Sequence, residues 1–189
     1  MPAPPAPHPR ARLSGRHRQG QRNVFEIFDF FLDSPPPRSL WGNEGWPVAT
    51  GNQTTKGEWI VRGVDRVDEE KRQIWFRAGG IYPEQDPYYI HHCRVNFDGS
   101  NLVMLTAGNG NHEIEYSPDG KYLLDSYSRV DQPPISELRK VEDGSLVCKL
   151  EEADYSKLLE TGWKVPERFV AKGRDGTTDI YGVIYRPTN

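Results

Sequence analysis

Apolar and polar residues alternate along most of the chain from Gln53 onward, which is the period of a half-buried strand. Arg72 to Ala78 (RQIWFRA) places Ile74 and Phe76 on one face of an extended segment and Trp75 on the other. Glu58 to Val64 also fits a strand. Tyr88 to Asn96 (YYIHHCRVN) alternates and runs into the turn FDGS, and Leu102 to Leu105 is a short strand before the loop AGNGN. His112 to Tyr116 leads through SPDGK to Tyr122–Ser128 (YLLDSYS). Glu137–Val141 and Ser145–Leu150 flank EDG, an Asp-Gly hairpin signal. Asp-Gly recurs at 98–99, 119–120, 143–144 and 175–176. Glycine supplies the positive φ that tight turns need, and aspartate tolerates it. The spacing leaves about two strands per turn, as in small antiparallel sheets placed in series. Propeller blades read this way. An antiparallel sandwich has the same periodicity.

Two stretches break the pattern. Glu151 to Gly162 (EEADYSKLLETG) has early acids, Leu158 and Leu159 one turn from Tyr155, and a glycine stop, which predicts a short helix. Pro166 to Pro187 then reads as two strands, Arg168–Lys172 and Thr178–Tyr185, around GRDGT. Before Gln53 the signal is poor. Val24–Leu32 (VFEIFDFFL) is too short for its period to separate strand from helix, SPPPRS interrupts it, and WGNEGWPVATGN is rich in turn residues. Met1 to Asn23 carries five arginines among prolines and no acidic residue, so it cannot bury enough apolar surface to order itself and is expected to be disordered.

Composition narrows the classes. A net charge of −3 gives no basic surface for nucleic acid. No apolar run is long enough to span a bilayer, and the start lacks the apolar core of a secretory signal, so a cytoplasmic location is the default. Cys93 and Cys148 are the only cysteines and are expected as free thiols rather than a disulfide framework. Aromatics at 11%, with 18 Gly and 16 Pro, suit short strands joined by tight turns.

Several residues invite a chemical reading. His91, His92 and Cys93 suggest a metal site, with His91 and Cys93 on one strand face and His92 on the other. Zinc needs three or four converging ligands, and no second pair at zinc-like spacing follows, so alternating strand side chains are expected and no cofactor is implied. His112, Asp125, Ser126 and Ser128 hold the letters of a triad. No G-x-S-x-G elbow occurs, and both serines lie within a strand. Glu69-Glu70 and Glu151-Glu152 could bind an amine, but both sit at polar element edges where solvated charge is the default. Tyr88, Tyr89, Tyr116, Tyr122 and Tyr127 could line a pocket, but packing between strands is the expectation. Local chemistry therefore yields no catalytic, substrate-binding or metal-binding residue.

Longer runs say more. DPYYIHHCRVNFDGSNLVMLT, NHEIEYSPDGKYLLDSYSRVDQPP and SELRKVEDGSLVCKLEEAD resemble the closing propeller blades of dipeptidyl peptidase IV-like enzymes, within the prolyl oligopeptidase superfamily. QTTKGEWIVRGVDRVDEEKRQIWFRAGG is similar to a further blade, and GWKVPERFVAKGRDGTTDIYGVIYRPTN to the join with the α/β-hydrolase domain. The resemblance implies a mainly β chain holding a partial β-propeller of about two antiparallel blades, a short connecting helix, and the first hairpin of an α/β-hydrolase domain. The boundaries it implies are a disordered segment at 1–23, a poorly matched segment at 24–52, blades at 53–150, a connector at 151–165 and the hydrolase start at 166–189. It implies blade-turn roles for Asp119 and Gly120 and a hairpin role for Asp175 and Gly176. Intact relatives of this kind are serine-type peptidases that release N-terminal dipeptides, often after Pro or Ala, while the propeller gates and orients the peptide substrate. Their Ser, Asp and His lie beyond the residues matched here, and the glutamate pair that binds the substrate amine lies in an earlier propeller segment not found in this sequence. The chain is therefore expected to be a fragment without catalytic residues, inactive alone. The alternatives are a non-catalytic propeller-type interaction module and one piece of a split peptidase. A running-on past the propeller favours the fragment. With fewer than about three stacked units, faces and blade edges stay open and invite self-association and marginal stability.

Overall fold

The computed structural model describes residues 54–187 and two isolated strands, β1 (Arg12–Gly15) and β2 (Phe25–Phe28). These two pair antiparallel, from Arg12 opposite Phe28 to Gly15 opposite Phe25. Apart from that pair, the expectations for 1–23 and 24–52 lie outside the described residues. The chain divides into two compact units, residues 1–81 with 93–103, and residues 82–92 with 104–189.

The first four-stranded sheet has the order β3-β4-β5-β6, with β3 Ile60–Asp68, β4 Gln73–Gly79, β5 Ile90–Asn96 and β6 Val103–Met104. The boundary between the two units passes through β5 and β6. β3 and β4 form an antiparallel hairpin whose register shifts twice, between Val61 and Gly63 and between Val64 and Arg66, and such bulges increase strand twist. Ile74, Trp75 and Phe76 are all buried, so both faces of β4 are covered. Phe76 stacks on Trp59 at 5.6 Å, while the Arg66 guanidinium lies 4.8 Å from the Trp75 ring on the other face.

The second sheet is a meander of order β10-β9-β8-β7, comprising β7 Asn111–Tyr116, β8 Tyr122–Arg129, β9 Gln132–Lys140 and β10 Leu146–Glu152. β9 begins five residues before the expected Glu137 because Arg129 and Gln132 pair around a two-residue turn. Pro133 and Pro134 are accommodated there, opposite a register shift between Tyr127 and Arg129, where the ladder is already interrupted. β10 is exposed throughout and its register shifts twice. It keeps Glu151 and Glu152, paired with Ser136 and Ile135, so the helix α1 covers only Ser156–Glu160 rather than the expected 151–162. A last antiparallel hairpin joins β11 (Glu167–Lys172) to β12 (Asp179–Ile184).

All four Asp-Gly turns form as the spacing predicts, with φ of 81°, 67°, 72° and 71° at Gly99, Gly120, Gly144 and Gly176. In each, the aspartate carboxylate accepts the N–H two residues on, from Ser100, Lys121, Ser145 and Thr177. At Gly144 the demand is also steric, since a Cβ there would stand 2.0 Å from the Met104 carbonyl oxygen.

Candidate functional site

Register explains which polar residues meet. In the second sheet His112 lies opposite Tyr127, and Asp125 opposite Glu137. By strand parity His112, Tyr127, Asp125, Glu137 and Arg139 share one face. His112 Nδ1 donates to Asp125 Oδ1 at 2.7 Å, and its Nε2 donates to the Gly108 carbonyl at 2.7 Å. Asp125 and Glu137 would repel as directly opposed carboxylates. Arg139 lies on both, with Nε 3.3 Å from Asp125 Oδ2 and Nη2 2.7 Å from Glu137 Oε2. Arg139 Nη1 also donates to the Gly144 carbonyl, and Tyr127 Oη donates to Glu137 Oε1. All but Tyr127 are buried. Burial first, then the charges of Glu137 and Asp125, raise the Tyr127 phenol above its ordinary value.

This arrangement cannot act as a triad. Ser126 and Ser128 point to the opposite face, where Ser126 Oγ meets Ser136 Oγ at 2.9 Å. Both His112 ring nitrogens are already committed to oxygen acceptors, so none faces a nucleophile. The letters His112 and Asp125 do come together, as a structural tie across three strands. Sequence spacing alone could not show this, because the tie depends on hairpin register.

His91 packs against the same cluster, 4.6 Å from the His112 ring and 4.7 Å from Tyr82. Its Nε2 donates to Gln85 Oε1 at 2.9 Å and its Nδ1 faces Thr106 Oγ1 at 3.3 Å, the pattern of a neutral ring. Burial, and then the charge of His112, push His91 down to about 3. Cys93 is buried, and burial pushes its thiol up, whereas Cys148 is exposed on β10; the two do not form a disulfide. His91, His92 and Cys93 form no metal-ligating group among the described residues. Glu69 and Glu70 sit in the exposed β3–β4 turn, and Glu151 and Glu152 at the exposed end of β10, where Glu152 pairs with Lys149. Neither pair lines the groove formed by the loop at 82–89 and the β11–β12 hairpin.

A cavity lies elsewhere. The loop at 82–89, the β8–β9 turn and the β11–β12 hairpin enclose a groove of about 550 Å³. Tyr88, Tyr89, Phe169 and Tyr181 supply its aromatic surface and Glu84, Asp86 and Arg168 its charges. Tyr88 meets Tyr181 edge-on at 6.2 Å. Phe169 folds its ring over Gly182, its cross-strand partner, where a Cβ would be 2.4 Å from the ring. Arg168 ties the hairpin down, with Nε 3.0 Å from Asp131 Oδ2 and Nη1 donating to Tyr89 Oη at 3.1 Å. Burial opposes ionisation of Asp131, but hydrogen bonds from Arg129 and Arg168 hold its carboxyl below the ordinary value. Tyr88 and Tyr89 were expected between strands; the structure puts them on the groove instead, because the strand they were assigned to begins only at Ile90.

A family model for the dipeptidyl peptidase IV (DPP IV) N-terminal region matches residues 38–134. The match starts inside the segment read as poorly matched and ends within β9. Among solved structures, a chain described as a dipeptidyl aminopeptidase IV from Bacteroides ovatus shares the fold, with TM-score 0.62 and 22% identity over 94% of this chain and 25% of its own. Dipeptidyl peptidase 4 from Porphyromonas gingivalis matches with TM-score 0.55 and 16% identity over 88% of this chain and 21% of its own. The chain thus spans about a quarter or less of the length of these solved relatives. Their fold supports reading the two four-stranded sheets as part of a β-propeller.

Proposed function

Because the chain belongs to the dipeptidyl peptidase IV N-terminal region family, we propose that it serves as propeller structure of a serine-type dipeptidyl peptidase, gating and orienting peptide substrate. The match over residues 38–134 carries this reading. Acyl transfer in such an enzyme needs a serine, a histidine base and an oxyanion hole. No G-x-S-x-G elbow lies in the 189 residues, and the His112–Asp125 pair has both ring nitrogens committed to oxygen acceptors. The chain's contribution is therefore architectural. Its blades would restrict access, and its β11–β12 hairpin would lead into the peptidase domain.

Two assays test the proposal. The purified chain should not release a fluorophore from Xaa-Pro or Xaa-Ala conjugates and should not react with a fluorophosphonate; serine-dependent turnover would place a nucleophile in these residues after all. A chimera in which this chain replaces the matched quarter of the Bacteroides ovatus relative should keep N-terminal dipeptide release and leave internal peptide bonds intact. A folded chimera that labels with the fluorophosphonate yet cuts internal bonds would refute the gating role.

A further inference from the structure

The loop before β7 runs Gly108-Asn109-Gly110, and both glycines are demanded by what lies against them. A Cβ on Gly108 would stand 2.4 Å from the Tyr127 ring, and one on Gly110 would stand 2.8 Å from the Ser128 carbonyl oxygen. The residue between them is an exposed asparagine, so packing imposes the sequence's one Asn-Gly pair on the surface. A side-chain amide is open to attack by the backbone nitrogen of the next residue, most readily when that residue has no Cβ in the way. Among the described residues no hydrogen bond holds the Asn109 side-chain amide, whereas Asn96 is tied through both amide atoms to Gln73 and Ser100, and Asn111 Oδ1 accepts the Ile90 N–H. Arg129 Nη1 donates to the Asn109 carbonyl at 3.0 Å. That carbonyl shares a peptide group with the Gly110 N–H, so the guanidinium stabilises the anion left when this proton departs.

The four Asp-Gly pairs could follow the same route, but their turns guard them. Each glycine N–H donates to a carbonyl earlier in its turn, at Asn96, Ser117, Lys140 and Gly173. Hydrogen bonds, first from the hydroxyls of Ser100, Ser117, Ser145 and Thr178, hold the four carboxyls below their ordinary value. They are therefore carboxylates near neutral pH, and carboxylates resist nucleophiles. We propose that Asn109 is a site of spontaneous covalent modification, deamidating to aspartate and isoaspartate in the folded chain while the Asp-Gly pairs persist. The Gly110 nitrogen loses its proton and bonds to Asn109 Cγ, and the side-chain nitrogen leaves with that proton as ammonia. Water then opens the cyclic imide. Opening at Cγ gives aspartate, and opening at the main-chain carbonyl gives isoaspartate, whose backbone runs through Cβ and Cγ. Either product adds a negative charge beside Arg129, and isoaspartate also lengthens the loop whose Gly108 carbonyl accepts from His112 Nε2. The site is independent of the peptidase reading.

The test holds the full-length chain at mildly alkaline pH for days, then digests it with trypsin in heavy-oxygen water, which marks any conversion during digestion. The tryptic peptide 95–121 carries Asn96, Asn101, Asn109 and Asn111 together with Asp98 and Asp119, so one spectrum compares them all. Fragmentation should place the amide-to-acid mass gain at Asn109, several-fold ahead of the other three asparagines. Asn109→Gln, whose amide is one carbon farther from the backbone, should abolish it. Isomerisation at Asp98 and Asp119 should lag in the native chain and rise in urea, where their turns open. An unchanged Asn109, conversion no faster than at the other asparagines, or Asp98 and Asp119 keeping pace with it in the native chain would each overturn the proposal.

Discussion

Asp125 is buried between His112 and Arg139 and faces the carboxylate of Glu137, so its charge is tolerated only because two cationic or donating groups surround it. Removing one member of a buried ionic network leaves the others uncompensated. Asp125→Ala is expected to cost about 3 kcal/mol in chemical denaturation, while Ser126→Ala on the opposite face should cost less than about 1 kcal/mol. Equal losses would mean that the tie is not a distinct element of stability. His91 supplies a pH dependence. Its folded value is depressed from 6.5 to about 3, so the unfolded chain binds the extra proton between those values. Stability contributed by neutral His91 is therefore full above about pH 6.5 and is lost as pH falls toward 3. The midpoint of denaturation should decline between pH 6 and pH 4, and His91→Gln should flatten that decline. A midpoint that rises on acidification in the wild-type chain would reverse the assignment.

The same turn chemistry has different consequences in different elements. Gly120 has a φ of 67° and open space around it, whereas Gly144 combines a φ of 72° with the Met104 carbonyl in the place of a Cβ. Gly120→Ala should cost only the left-handed penalty of about 1–2 kcal/mol. Gly144→Ala adds a clash with backbone that cannot rotate away, and should lower the melting temperature by clearly more; an equal shift for both would show that the β9–β10 turn yields easily. The four Asp-Gly turns were legible from sequence because both residues of the motif act locally. The start of β9 was not, since its prolines weaken any strand signal and only the pairing of Arg129 with Gln132 fixes the hairpin. The end of β10 was misplaced for a related reason: Glu151 and Glu152 look like a helix start, but cross-strand pairing decides. Arg168 acts at this scale too. Arg168→Leu removes its ties to Asp131 and Tyr89, and should speed amide exchange in β11 and β12 while leaving β7 to β9 unchanged.

At the scale of the whole molecule, the mainly β class and the family were readable because alternation, turn spacing and long ordered motifs all agree. The groove was not, since its lining comes from three segments far apart in sequence, which no local pattern brings together. The exposed surfaces set the molecule's behaviour in solution. Every residue of β10 is exposed, but its two register shifts and the charges of Lys149, Glu151 and Glu152 discourage another strand from pairing with that edge. The β11–β12 hairpin has less protection. Phe169 and Ile180 share one of its faces and Val170 and Val183 the other, all more than 40% exposed. Apolar surface displayed on both faces of a two-stranded ribbon favours burial against another molecule. Self-association is therefore expected to proceed through this hairpin rather than through the β10 edge. Sedimentation velocity over a concentration series should show larger species. Ile180→Lys should move their onset to higher concentration, while Leu150→Lys on β10 should leave it unchanged. A strictly monomeric chain with a sharp, reversible two-state melt would refute the expectation, and a response to Leu150→Lys alone would move the contact to the outer edge of the second sheet.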